Sequence, residues 1–477
     1  MSDSVKSGSG PSVESYSPRL RTALVLTGTG TAGAYHAGVL RALHEAGVKI
    51  DVVGGHGIGV VAALFAAVDG AQKLWDERGF WRRSAVRALY PWRPMVRLTV
   101  CAIALAVGIV LVPIATIALG LVVYPIDFLQ KMLGLGAPTG TSDLVGAYLR
   151  FTQSAFAAEG LPTWLPRLVV MVLGVVGLIA LATGWANLGE RRQRGPFWWR
   201  MVRAPLSSTQ AADHFWRVMW DLVRGAAQLK QPAPLELGRR CTELIAENLG
   251  QPGFRELVLT VHDVDAHRDL VFALVVESRR RDLIRRATTE AAEARRAEVL
   301  DLSGVARDYL AAVVSAALSV PVVCEPLSLT FASDGYWRGE THRLCDRPAS
   351  VARLIDEVIE LGAEQVLVVS SASDTRGPHA LSPPRLDGRG RFGEYLQSSE
   401  ASSVRDATRM AERAVRVFAI RPAHNPVGPF DFAGGFDDRS DRRQPLEELM
   451  ARGYEDAFLQ FVEPVVGASG ELLKVST

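Results

Sequence analysis

The 477-residue chain has few cysteines and no excess of one charge. Lys and Arg total 53 against 51 Asp and Glu, so no overall positive charge favours a nucleic-acid partner. The four cysteines, Cys101, Cys241, Cys324 and Cys345, include no C-x-x-C pair. This spacing is typical of packing thiols in a reducing compartment and does not fit a disulfide framework.

The N-terminus lacks the apolar core of a signal peptide. Its sequence, MSDSVKSGSGPSVESYSP, is rich in Ser and Gly. Such a composition does not bury enough apolar surface to fold. It therefore predicts a disordered tail over residues 1–19.

Two long stretches carry no charged side chain. Residues 98–124 form a run of 27 residues and residues 168–188 a run of 21. Because about 20 apolar residues cross a bilayer as a helix, both are predicted to be transmembrane helices. The alternative is a pair of buried helices in a soluble core, although helices that are apolar all round are unusual there.

The flanks of these runs predict their orientation. The segment before the first run carries Arg82, Arg83, Arg87, Arg93 and Arg97, and arginines also follow the second run. The connection, residues 127–166, has only two basic residues. By the positive-inside rule the outer flanks are cytoplasmic, which predicts a two-span membrane protein with both termini and its soluble parts in the cytoplasm.

The segment after the second run, RRQRGPFWWRMVR at residues 191–203, combines bases with aromatic residues. This combination also occurs in nucleic-acid sites. Next to a predicted span it is better explained as a juxtamembrane anchor attracted to anionic lipid headgroups.

The soluble parts alternate strand and helix patterns. Residues 22–59 have the order strand, glycine loop, amphipathic helix, strand and glycine turn, which is a βαβ unit of a parallel sheet. Further strands are predicted at 256–264, 269–276, 365–371 and 415–422, helices at 283–300 and 349–361, and a mobile loop at 373–403. The predicted domain organisation is therefore an α/β domain in two parts, 20–80 and 205–477, interrupted by a membrane insert at 81–204.

Two motifs suggest ligands. The segment VHDVDAHRD at residues 261–269 is rich in His and Asp, but it lies between two strand patterns and is better explained as a polar hairpin than as a metal site. Gly28-Thr29-Gly30-Thr31-Ala32-Gly33 matches the G-x-G-x-x-G dinucleotide fingerprint. The expected acid at the end of the second strand is absent, because Asp51 stands at its start, so nucleotide binding remains a minor alternative.

The stretch from Leu26 to Leu64 resembles the opening of patatin-like phospholipases, in which a G-G-G-x-R-G loop precedes a G-x-S-x-G nucleophile elbow. Residues 316–370 resemble the family's region around its D-G-G motif, including the later Leu361-Gly362-Ala363. The resemblance implies a patatin-like α/β fold. It also implies a lipid acyl hydrolase with a Ser-Asp dyad and an oxyanion loop, here Gly28, Thr29, Gly30 and Gly33.

The dyad positions depart from this pattern. The elbow Gly55-His56-Gly57-Ile58-Gly59 has Gly57 at the serine position, between Gly55 and Gly59. The aspartate position aligns with Arg338, which is no general base at neutral pH. His56 and Asp334 are weak alternates, each more simply a polar turn residue.

These substitutions predict a membrane-anchored pseudoenzyme that binds membrane lipid or a protein partner and needs no cofactor or metal. The alternative is a lipid acyl hydrolase with a shifted or unrecognised active site. The oligomeric state is left open by the sequence.

Overall fold

The computed structural model describes residues 16–134, 144–155, 157, 161–186, 204–285, 295–374, 387–437, 439–440 and 442–467. These residues form two compact units. The first comprises Met1–Pro91 and Leu206–Thr477, and the second is Trp92–Pro205. The second unit starts later than the insert predicted from residue 81, because Phe80–Arg82 and Ser84–Ala88 form turns with buried side chains in the first unit.

The described part of the first unit contains a nine-stranded, mostly parallel sheet with the central order β5-β4-β3-β2-β1-β8-β9. Its strands are β1 (Thr22–Thr27), β2 (Val52–His56), β3 (Glu256–Asp263), β4 (Arg268–Leu274), β5 (Val299–Asp301), β6 (Leu327–Thr330), β7 (Thr341–Cys345), β8 (Gln365–Ser370) and β9 (Arg416–Ile420). β6 pairs with β7, and β7 with β3, in antiparallel orientation. A separate hairpin joins β10 (Gly435–Asp437) and β11 (Arg442–Gln444). The predicted parallel α/β sheet is confirmed.

Helices of the first unit cover both faces of this sheet. They are α1 (Ala32–Glu45), α2 (Gly59–Ala67), α3 (Gln72–Trp75), α7 (Thr209–Val223), α8 (Pro234–Asn248), α9 (Glu277–Arg285), α10 (Leu310–Ala317), α11 (Ser350–Glu360), α12 (Gly388–Ala411) and α13 (Leu446–Ala457). Along β1, Leu24 and Leu26 join one hydrophobic core while Ala23 and Val25 join the other. This alternation follows the two-residue period of a strand and produces a sandwich of helices, sheet and helices.

Several predicted elements are corrected. Of the predicted helix at 283–300, residues 283–285 lie in α9 and residues 295–298 are helical, whereas residues 286–294 lie outside the described ones and the last two belong to β5. The predicted loop at 373–403 overlaps helix α12, whose N-cap Asp387 accepts a hydrogen bond from the Gly390 N–H. The predicted tail is too long, because Tyr16 is buried and its ring packs edge-on against Phe461 at 5.7 Å. Its earlier residues lie outside the described ones.

The predicted hairpin at 261–269 is confirmed. β3 and β4 pair antiparallel, with His262 opposite Asp269. Within the described residues no group of three or more His, Cys, Asp or Glu side chains is placed to hold a metal ion. The segment 191–203 lies outside the described residues, so its role as a lipid anchor stays a prediction.

The second unit contains α4 (Pro94–Met132), α5 (Leu144–Ala155) and α6 (Leu161–Ala186). The most apolar 18-residue window of α4 has a mean hydropathy of 2.7, and only 6% of that window is buried. It is the one described helix long and apolar enough to cross a membrane, whereas the described apolar part of α6, Arg167–Ala182, is shorter. Within the described residues the first predicted span is a candidate, and the second, at 168–188, is not confirmed.

Candidate functional site

The glycine loop and the elbow lie side by side at the carboxyl ends of two neighbouring parallel strands. The loop, residues 28–33, follows β1, and the elbow, residues 55–59, comprises the last two residues of β2 and the turn after it. β1 and β2 are in register, with Leu26 opposite Gly55. In open α/β sheets this edge is where ligands bind, beside the point at which the strand order changes direction.

The elbow turn requires glycine at its tip. Gly57 has a φ of +56°, in the left-handed region that L side chains rarely adopt. β2 ends at His56 and α2 begins at Gly59, so the chain turns sharply between strand and helix. A Cβ on Gly59 would lie 2.0 Å from the Leu26 carbonyl oxygen, so only glycine lets α2 start this close to β1. This is the backbone geometry of a nucleophile elbow without its nucleophile.

A side chain on residue 57 has no room. Its Cβ would lie 2.2 Å from the Gly28 carbonyl oxygen and 2.9 Å from Asp346 Oδ2. The first neighbour is backbone, which does not swing away as a flexible side chain does. A serine at this position would therefore require the glycine loop to move.

The Gly28 carbonyl group also accepts a hydrogen bond from a backbone N–H of the elbow. The Ile58 N–H donates a hydrogen bond to the Gly28 carbonyl oxygen at 2.9 Å. In a nucleophile elbow, the N–H of the residue after the nucleophile stabilises the oxyanion of the reaction. Here the protein's own backbone uses this N–H, so it is not available to a substrate in this conformation.

The acid that lies at the elbow is Asp346, whereas Arg338, which the sequence aligned with the family's aspartate, lies elsewhere. Arg338 is exposed in a turn, with its N–H donating to the Gly335 carbonyl. Asp346 directly follows β7, is 2% exposed, and lies against the elbow. The resemblance to the D-G-G region did not select it. A better signal was an acid placed directly after the buried residues Leu344 and Cys345.

Two donors hold the Asp346 carboxylate. The Thr29 hydroxyl donates to Oδ2 at 3.2 Å, and His56 Nδ1 donates to Oδ1 at 3.3 Å. Thr29, His56 and Asp346 are at most 5% exposed. The structure thus brings together a residue of the predicted oxyanion loop, the weak alternate His56 and an acid that the sequence analysis did not select.

Histidines extend this buried polar network. His56 Nδ1 donates to Asp346, and the Thr27 hydroxyl lies within hydrogen-bond distance of His56 Nε2. His36 Nε2 donates to the Thr27 carbonyl oxygen at 2.9 Å. Burial lowers the pKa of His36 to about 4, so this ring is neutral at physiological pH. Its Nδ1 is buried without a hydrogen-bond partner among the described atoms.

Glu400 adds a second buried carboxyl group behind the loop. It lies on α12, and its Oε1 accepts a hydrogen bond from the Ser370 hydroxyl at 2.8 Å. Oε1 would be 3.5 Å from a Cβ on Gly28. Burial raises the pKa of Glu400 to about 7, the charge of Asp346 adds to the rise, and His56 and the Ser370 hydrogen bond oppose it.

A covering segment, residues 425–433, closes over the glycine loop. The Pro429 carbonyl oxygen accepts from the Thr31 N–H at 3.0 Å, and the Gly428 carbonyl accepts from the Thr31 hydroxyl at 2.6 Å. A Cβ on Gly30 would lie 1.7 Å from the Pro429 oxygen. The segment is itself held by α12, where Gln397 donates to the Val427 carbonyl at 3.1 Å. The loop is therefore covered by the protein's own backbone.

The remaining predicted positions lie apart or are structural. Asp334 is exposed on the same turn as Arg338. Gly33 is the second residue of α1, and a Cβ on it would lie 2.3 Å from the Trp81 ring. Asp51 accepts from the Thr22 N–H at the amino end of β1 and β2, the end away from the glycine loop. A dinucleotide site would need its acid at the opposite end of β2.

The fold and this loop-elbow pair are those of a patatin-like α/β domain. The profile of the patatin-like phospholipase family matches residues 24–346, and the chain belongs to this family. Patatin-like phospholipase domain-containing protein 6 of Mus musculus, Pongo abelii and Homo sapiens is 44% identical over 70 residues. That match covers 14% of this chain and 5% of each relative, so the chain spans about a twentieth of their length.

Among solved structures, VipD from Legionella pneumophila is 14% identical in sequence, and the match covers 94% of this chain and 67% of VipD. The TM-score is 0.29.

Proposed function

We propose that this chain is a membrane-anchored, non-hydrolytic member of its family whose α/β domain binds membrane lipid or a protein partner. The observation that carries the proposal is the Gly28 carbonyl oxygen, 2.2 Å from the place of a Cβ on Gly57. Gly57 has no side chain that could act as a nucleophile, and the Gly28 carbonyl leaves no room for one.

Two further contacts support the loss of hydrolysis. The elbow donor Ile58 N–H is bonded to Gly28, and the Thr31 N–H of the glycine loop is bonded to Pro429. A hydrolase of this type stabilises a developing oxyanion with such N–H groups, and losing one donor costs about 100- to 1000-fold in rate. With both donors used internally, stabilisation of an oxyanion would require the loop and the covering segment to separate.

Helix α4 supports the membrane anchor. Many of its large apolar side chains are exposed, for example Ile117 at 65% and Leu121 at 73%. Exposing a helix whose most apolar 18 residues have a mean hydropathy of 2.7 to water is costly, whereas a bilayer core accepts it. The arginine-rich flank at residues 82–97 favours a cytoplasmic α/β domain.

The test combines a covalent probe with lipid analysis. The full chain, purified in lipid nanodiscs, is treated with a fluorophosphonate probe and separately incubated with phospholipid vesicles, with an active serine lipase as positive control. We expect no labelled residue and no fatty-acid release. Labelling of one residue, or turnover above that of heat-denatured protein, would refute a non-hydrolytic role. Mass spectrometry of lipid that copurifies in detergent, before transfer to nanodiscs, tests the lipid partner, which a stoichiometric acyl lipid would support.

One observation favours a second candidate, a lipid acyl hydrolase with a displaced nucleophile. The Thr29 hydroxyl donates to Asp346 at 3.2 Å, which is a hydroxyl-carboxylate pair like the family's dyad. In such a reaction Thr29 Oγ1 would attack the ester carbonyl while its proton passes to Asp346. The alcohol would leave with that proton, and water would release the acyl group. The 5% exposure of Thr29 disfavours this reaction unless the covering segment moves.

The same probe distinguishes the two candidates. If Thr29 is the nucleophile, labelling maps to Thr29, persists in Thr29→Ser and disappears in Thr29→Val. If the chain is non-hydrolytic, the native protein and both variants remain unlabelled.

A further inference from the structure

A second site is formed far along the sheet from the elbow, at its edge strand β5. A cavity of about 340 Å³ opens between this strand, the turn Val305–Tyr309 and the loop after β6. Its size falls within the range of small-molecule pockets. None of its lining residues belongs to the glycine loop or the elbow, so the site is independent of the proposed function.

Aromatic side chains form one wall of the cavity. They are Tyr309, Phe331, Tyr336 and Trp337. Tyr336 is 50% exposed and the facing Val305 is 60% exposed, which leaves apolar surface open to water at the mouth. Exposed apolar surface inside a concave site is a typical feature of a ligand pocket.

Contacts from behind hold this wall in place. Trp337 Nε1 donates to the Ala297 carbonyl at 2.9 Å, and the His342 ring packs edge-on against the indole at 4.4 Å. The Arg268 guanidinium lies 5.7 Å from the centre of the same ring. Tyr309 Oη accepts from the Ala332 N–H and keeps its own proton as a donor. A ligand would therefore meet a preorganised surface and lose little affinity to ordering of side chains.

The charge at the cavity is set by two arginines. Arg280 is neutralised by ion pairs with Asp301 and Glu277. Arg296 is exposed, lines the cavity, and makes no ion pair with a described residue. Arg296 also lines the wider polar groove on the other side of the turn that carries Tyr336. One cation thus stands beside an aromatic wall, ready to pair with an anionic group.

We propose that this cavity binds a small monocarboxylate with an aromatic body, its ring against Trp337 and Phe331 and its carboxylate at Arg296. Aromatic rings pair favourably in offset or edge-on contacts, and a guanidinium binds a carboxylate through parallel hydrogen bonds. The volume of about 340 Å³ accommodates about eleven non-hydrogen atoms at the roughly 30 Å³ that each occupies at the density of water. 3-Phenylpropionate matches this size and charge.

The experiment is a ligand-observed NMR titration of the full chain in nanodiscs of neutral lipid. The probes are 3-phenylpropionate, 3-phenylpropanol and 3-phenylpropylamine, which share the ring and differ in charge. We expect saturable binding of the carboxylate with a Kd of about 1 mM or tighter, the range for ligands of this size. The alcohol and the amine should bind at least tenfold more weakly.

Arg296→Glu is the test variant, and Arg307→Glu is its matched control, because Arg307 is exposed nearby but does not line the cavity. We expect Arg296→Glu to weaken 3-phenylpropionate at least tenfold and Arg307→Glu to weaken it less than twofold. The proposal is overturned if the alcohol binds as tightly as the carboxylate, if both variants weaken binding equally, or if no saturable binding occurs below about 10 mM.

Discussion

The carbonyl oxygen of Gly28 lies within hydrogen-bond distance of the Ile58 N–H and 2.2 Å from the place that a Cβ on Gly57 would take. One backbone group therefore does two things at the elbow. It satisfies the amide that a hydrolase would offer to an oxyanion, and it excludes any side chain from the nucleophile position.

Gly57→Ser is expected to destabilise the protein without creating a hydrolase. A serine would adopt a φ of +56°, which costs about 1–2 kcal/mol, and its Cβ would push against the Gly28 carbonyl. We expect a total loss of about 2–4 kcal/mol in unfolding free energy and no fluorophosphonate labelling. Gly388→Ser, at an exposed glycine with no atom within 4 Å of its Cβ, is the control. The prediction would be contradicted if the serine were labelled and the variant were as stable as the native protein, because the glycine loop would then move at little cost.

Glu400→Gln is expected to stabilise the protein at pH 8 and to have little effect at pH 5. The folded-state pKa of Glu400 is raised from 4.5 to about 7, so the folded state holds the proton more tightly than the unfolded chain. Stability therefore falls as pH rises through the window from 4.5 to about 7, and above it the ionised buried group costs about 3 kcal/mol. The neutral amide does not ionise and escapes this cost.

Thermal unfolding at pH 5 and pH 8 measures this difference. Glu412→Gln, at an exposed residue just after α12, is the control and should give the same change at both pH values. Equal changes for Glu400→Gln at the two pH values would mean that Glu400 is not protonated in the folded state near neutral pH.

Thr29→Val is expected to cost about 1–3 kcal/mol in unfolding free energy, and Thr29→Ser much less. Valine has nearly the shape of threonine but leaves Asp346 without one of its two hydrogen-bond donors, and an unmet buried acceptor carries a penalty of this size. Serine keeps the hydroxyl. Chemical denaturation of the three proteins compares these values. Equal stability of the two variants would show that the hydroxyl-carboxylate bond contributes nothing.

The sequence predicted the parallel sheet, the glycine loop and the elbow because these depend on local patterns. The buried run Thr22–Thr27 and the small residues after it have one plausible structure. Asp346 was missed because it comes to the elbow from almost 300 residues away in sequence, and only the pairing of β7 with β3 places it there. The covering segment was missed for a similar reason, since its contacts with Thr31 are made by backbone carbonyls that no sequence motif records.

Helix α12 was not predicted because the composition of its first residues favours a loop. Glycines and arginines at its start, residues 388–393, are typical of a loop. The helix instead gains its stability from buried positions such as Leu396, Val404 and Ala407, which pack on the first unit. Tertiary burial overrides local propensity here.

Removal of the second unit is expected to release the α/β domain from the membrane. The Ser207 N–H donates to the Pro91 carbonyl at 3.1 Å, so the two ends of the first unit already meet where the insert leaves. Replacing residues 92–205 with a four-residue Gly-Ser linker should give a protein that unfolds cooperatively and stays in the supernatant after ultracentrifugation, whereas the full chain sediments with membranes. Deleting only residues 144–186 retains α4 and should leave the protein membrane-bound, because a single apolar helix of that length suffices for a span. Sedimentation of the linker variant with washed membranes would place the anchor in the first unit instead.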